Sequence, residues 1–166
     1  MKKSFLFLMM ALALVACSTM KLTPEQQAQR RAQETLRVNK NVQDRRFSID
    51  IDYIYPQQGR ARSADYGYFV AVHGDTLSSC LPYYGRAYQV PYGGGDGLDF
   101  ETLISSYNSY RVKDGIIRVE IKAANDGDQY HYVFDIFDNG KTSIVVSSRE
   151  RDQIRFTGTM DLREKK

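Results

Sequence analysis

From Phe47 onward the apolar positions recur at every second residue: Phe47, Ile49, Ile51, Tyr53 and Tyr55 alternate with Ser48, Asp50 and Asp52. That period marks a half-buried strand, because successive side chains of extended backbone point to opposite faces. The alternation returns at Ile117, Val119, Ile121 and Ala123, set between Arg118, Glu120 and Lys122. Further strands are predicted over 66–73, 76–81, 103–112, 129–137, 141–148 and 153–159. Gly74-Asp75 reads as one hairpin turn. Asp138-Asn139-Gly140 is a stronger one, since Asn139 and Gly140 both tolerate positive φ. The remaining connections, at 113–115, 125–128 and 149–152, are short and polar. About seven or eight short strands joined by tight turns form an antiparallel meander.

A continuous meander manages its edges by closing into a barrel or by folding into two packed sheets. The expected fold is therefore all-β over 46–162, either a calycin/lipocalin-like barrel or a flattened two-sheet sandwich, preceded by an N-terminal helix. The helix is read from residues 17–45. Thr23, Pro24 and Gln26 make a helix start, with the threonine as cap, the proline in the first turn and the glutamine three residues after the cap. Its apolar positions, Ala28, Ala32, Leu36 and Val42, are sparse, and basic residues are frequent. This segment reads as a spacer, docked on the domain through Leu36 and Val42.

Residues 1–16 read as a processing segment. Lys2 and Lys3 precede an apolar run from Phe5 to Val15 that is too short to span a bilayer. Leu14, Val15, Ala16 and Cys17 match a bacterial lipoprotein signal, in which Cys17 becomes the lipidated first residue. The expected partner is thus a membrane, held through lipid on Cys17. The expected location is the cell envelope, at the outer membrane and facing the periplasm. The chain carries 23 Lys and Arg against 20 Asp and Glu. Loss of Lys2 and Lys3 brings it closer to neutrality, so no nucleic-acid partner is expected. With Cys17 committed to lipid, Cys80 has no disulfide partner and reads as a small buried hydrophobe.

The stretch that strand patterning does not explain is 81–100, LPYYGRAYQVPYGGGDGLDF. Gly93, Gly94, Gly95 and Gly97 lie too close together for an element interior, and Pro82 and Pro91 stiffen the shoulders. The stretch reads as a loop carrying Tyr83, Tyr84, Arg86, Tyr88, Tyr92 and Asp96, the candidate residues for binding a ligand or partner. Tyrosine offers a flat apolar face with a polar end, suited to a protein interface, a glycan or a small apolar ligand. The competing assignment is a structural cap over the core. Gly59, Arg60 and Arg62, in the loop after Pro56, are placed to reach towards these tyrosines.

Catalytic, metal and cofactor chemistry finds little support. Residues 94–99 match the start of a calcium-binding nonapeptide, but Glu101 stands where an apolar residue belongs and no tandem copy follows. Asp50 and Asp52 share an outer strand face without further ligands. His73 and His131 show no ligand spacing and no nucleophile elbow. No catalytic residue, metal or cofactor is assigned, and a non-catalytic binding module is expected. The alternatives are a carrier holding a small apolar ligand inside a barrel and, behind it, a hydrolase with a dispersed site.

The residues Tyr53-Ile-Tyr-Pro56, Gly59-Arg60, Asp65-Tyr66-Gly67, Gly74-Asp75, Leu81 to Tyr88, Pro91 to Leu98 and Phe100 resemble a known family. It is the domain of unknown function numbered 4251, found in small lipoproteins of Bacteroidetes-type bacteria. The resemblance covers about Arg46 to Met160. It implies an envelope lipoprotein of a Gram-negative bacterium with a signature loop at 81–100, and it transfers no catalytic role. Asp96 stands where the family more often carries glutamate, a change that keeps the charge.

Overall fold

The structure, a computed structural model, describes residues 23–64, 67–85 and 97–163. The chain divides into two compact units, Met1–Arg30 and Arg31–Lys166. The described part of the first is the opening of helix α1 (Pro24–Gln43). There the Thr23 N–H donates to Gln26 Oε1 at 3.0 Å and the Gln26 N–H donates to Thr23 Oγ1 at 3.3 Å. This reciprocal cap satisfies donors that a helix start leaves unpaired.

In the second unit the strands are β1 (Arg46–Tyr55), β2 (Arg62–Ser63), β3 (Phe69–His73), β4 (Thr76–Leu81), β5 (Leu98–Lys113), β6 (Ile116–Asn125), β7 (Asp128–Phe137), β8 (Lys141–Ser148) and β9 (Ile154–Met160). Each pairs antiparallel with its neighbour in the order β2-β1-β3-β4-β5-β6-β7-β8-β9, and β1 pairs again with β9. That last pairing closes an eight-stranded barrel, with β2 a short addition to the far end of β1. Of the two architectures expected from sequence, the barrel is the one formed. Closure brings β1 and β9 unusually near at one point. A Cβ on Gly158 would collide with the backbone oxygen of Asp50, so only glycine fits there.

Alternation places Phe47, Ile49, Tyr132, Phe134, Ile144 and Phe156 inside, each at most 3 % exposed. The centre of the barrel is filled. Phe47 on β1 meets Phe134 on β7 edge-on with ring centroids 5.9 Å apart, and the Tyr132 ring lies 6.1 Å from that of Phe134. The Tyr132 hydroxyl reaches Ser79 on β4 at 3.0 Å, and Ser79 Oγ donates in turn to the Leu98 carbonyl at 2.8 Å. β1 and β7 are not ring neighbours, nor are β4 and β7, so the Phe47–Phe134 and Tyr132–Ser79 contacts span the interior. An eight-stranded barrel is just wide enough to be filled in this way.

The second half of α1 packs on the barrel through Val38 and Val42, 0 % and 2 % exposed. Leu36, expected to dock with Val42, is 69 % exposed instead. Val38 and Val42 lie one turn apart on the same stripe, whereas Leu36 is two residues off it. Arg45 ends the helix with φ 52°, its guanidinium 2.8 Å from Asp75 and 4.7 Å over the Tyr107 ring. The Tyr107 hydroxyl donates to the Val42 carbonyl at 2.8 Å. No helix among the described residues is long and apolar enough to cross a membrane.

Candidate functional site

In an up-and-down barrel every second connection lies at the same end. Residues 56–64, 67–68, 82–85, 97, 126–127 and 149–153 therefore share the end opposite the α1–β1 junction. The loop predicted over 81–100 is shorter than expected, because Leu98, Asp99 and Phe100 continue β5 and pair with Leu81, Cys80 and Ser79. Leu98 is 1 % exposed and belongs to the core. Gly97 starts the strand at φ 70°, and a Cβ there would lie 2.7 Å from the Leu81 carbonyl oxygen.

Of the sequence candidates, Tyr83 and Tyr84 are described, while Arg86, Tyr88, Tyr92 and Asp96 lie outside the described residues, as does Cys17. The two tyrosines do different work. Tyr83 packs against the core, donates its hydroxyl to the Asp152 carbonyl at 3.1 Å, and carries Arg151 5.3 Å from its ring centroid. Arg151 also donates to the Gly97 carbonyl at 2.6 Å, so it ties the 149–153 loop to the mouth of the glycine-rich loop. Tyr83 is a cap. Tyr84 is 39 % exposed, with Arg62 4.9 Å from its ring centroid, and so presents a face to solvent. A third pair, Arg155 at 4.7 Å over Tyr55, stands at the same end.

Between these groups lies an open cleft of about 240 Å³, lined by Pro56, Gln58, Gly59, Arg60, Arg62, Tyr84, Gly85 and Asp152. Among the described residues Arg60, Arg62, Arg151 and Arg155 have no carboxylate within ion-pair distance. Arg60 and Arg62 thus line the cleft with Tyr84, the side their loop position suggested. Arg151 and Arg155 were not candidates from sequence. The signal for them was strand parity, which assigns the 149–153 loop to this end.

Cys80 lines a neighbouring cleft with Tyr68 and Tyr83 and is partly exposed. Burial, and then the nearby Asp99 carboxylate, push its thiol pKa up, so it stays protonated and poorly nucleophilic. Asp52 accepts a hydrogen bond from Thr159 at 3.2 Å, and Glu101 accepts one from Ser78 at 2.9 Å. Among the described residues no group of three His, Cys, Asp or Glu side chains gathers at one point.

The family model for the domain of unknown function DUF4251 matches residues 29–160. The fold is also similar to a crystal structure of a DUF4251 family protein from Bacteroides eggerthii DSM 20697. The TM-score is 0.59 at 11 % identity, over 76 % of this chain and 86 % of that one. No curated protein matches the chain.

Proposed function

This chain belongs to the DUF4251 family, and from that premise we propose that it is a lipid-anchored envelope protein whose loop end binds a protein partner without catalysing a reaction. The carrying observation is the exposed Arg62–Tyr84 stack beside Arg60, all facing an open cleft. Tyrosine and arginine are the side chains that most often anchor interfaces, because each offers large contact area with directional donors. The filled barrel centre supports a surface binder over an internal carrier. The charge and apolar run at 2–15 and the Leu14 to Cys17 motif support the anchor and, with it, the envelope location.

The test pairs binding with stability. Arg62→Ala and Tyr84→Ala in the full chain should lower capture of envelope partners by roughly tenfold each, the effect of losing an anchor residue. Their melting temperatures should stay near that of the unsubstituted protein. Unchanged capture, or a melting loss as large as that of Phe134→Ala, would return these residues to a capping role. Capture that depends on soluble glycan competitors would redirect the assignment to a glycan. Cys17→Ala should abolish incorporation of a labelled fatty acid; retained label would remove the anchor from the proposal.

A further inference from the structure

A second cleft, of about 430 Å³, shares no lining residue with the Arg62–Tyr84 cleft and lies on the outer wall formed by β5 to β8, where β6, β7 and β8 approach the 126–127 and 149–153 connections. Antiparallel pairing sets Lys122, His131 and Ser147 side by side across three strands. A register shift between Ile104 and Ser106 brings Ser105 to the same place, with its hydroxyl donating to the Lys122 carbonyl at 2.8 Å. Short Ser105 and Ser147 side chains between the longer Lys122, His131 and Arg149 leave a trough.

The lining contains cationic groups, hydroxyls and amides, and no carboxylate. The nearest acids, Glu120 and Asp128, lie outside the lining. Glu120 accepts the Tyr110 hydroxyl at 2.7 Å and faces His131 Nε2 at 3.9 Å, while buried Asp128 accepts the N–H groups of Gln129 and Arg149 through Oδ1 and keeps Oδ2 without a partner. His131 Nε2, on the trough face, is buried with no hydrogen-bond partner, a condition that folded proteins rarely leave uncompensated. We propose that this trough binds an oxyanion group, phosphate or carboxylate, of a small ligand. Lys122 and Arg149 supply both the charge and the directional donors, with His131 beside them.

Amide correlation spectra of the full chain, titrated separately with inorganic phosphate and with glucuronate at ionic strength held constant by sodium chloride, test this. Saturable shifts confined to residues around Lys122, His131 and 147–149 are expected with at least one probe. The probe that saturates separates a phosphate source from a uronate source. Lys122→Met and Arg149→Met should each weaken binding by roughly tenfold, the effect of losing one charged hydrogen bond. His131→Ala should weaken it without lowering the melting temperature. Absence of saturation with both probes, or shifts that these substitutions leave unchanged, would overturn the site. Tyr84→Ala should not alter these titrations, so the trough and the loop-end interface stand or fall separately.

Discussion

The chain of hydroxyls across the barrel gives a sharp test of how the interior is held. Tyr132 is 0 % exposed and Ser79 2 %. The Tyr132 hydroxyl donates to Ser79, which donates to the carbonyl of Leu98, the residue at the mouth of the glycine-rich loop. Ser79→Ala strands a buried phenol donor and frees a buried carbonyl, a cost of about 2–3 kcal/mol. Tyr132→Phe removes the donor and leaves Ser79 its bond to Leu98, a cost of about 1 kcal/mol. In the double variant no phenol is left stranded, so its cost should be about 2 kcal/mol, below the sum of the two. The coupling of about 1–2 kcal/mol is measurable by urea denaturation followed by circular dichroism. Tyrosine fluorescence serves as a second probe, since the chain has no tryptophan. The urea slope should not change, because the surface exposed on unfolding is nearly the same. Additivity within about 0.3 kcal/mol would mean that the two hydroxyls do not share a bond, and the interior would then be held by its rings alone.

Other outcomes follow from the same geometry. Gly158→Ala should cost about 1–3 kcal/mol or prevent folding, read as lost melting temperature, because β1 must move away from β9 to admit the methyl group. Val38→Ala should cost about 2 kcal/mol, while Leu36→Ala should stay within about 0.5 kcal/mol, a contrast that thermal denaturation of the two variants decides. Burial pushes the Tyr107 phenol up to about 12 from 10, against a smaller opposing effect of Arg45. Between those values the unfolded chain loses a proton that the folded chain retains, so stability should fall as pH rises from about 10 to about 12. Denaturant melts across that range should show a shallower fall for Tyr107→Phe. An unchanged slope would mean that Tyr107 is not the group responsible.

The alternation at Phe47 to Tyr55 foretold β1, because one face of that strand is buried and its period cannot slip without exposing the core. Asn139-Gly140 marked its turn correctly, but only Gly140 takes positive φ, whereas at 125–128 Asp126 and Gly127 both do. That two-residue pair was the better hairpin signal. Leu98 to Phe100 were read as loop because the glycines before them obscure a strand start; Leu98 being buried is a tertiary fact that local composition does not carry. The pairing of β1 with β9 had no local sign, since nothing in either strand names its partner. Tyr83 and Tyr84 looked alike in sequence and were separated only by what surrounds them. Asp152 engages the first, and solvent reaches the second.

Closure by the last strand sets an order of events during folding. Ile49 cannot meet Met160, nor Ile54 meet Phe156, until β9 has been made, so the outer backbone groups of β1 and β8 wait unpaired through synthesis of everything between. Pairings so distant along the chain slow the final step, and open strand edges invite other chains to pair with them during the delay. A chain cut before Ile154 would remain in that open state, with two adhesive margins where the finished molecule has a continuous wall.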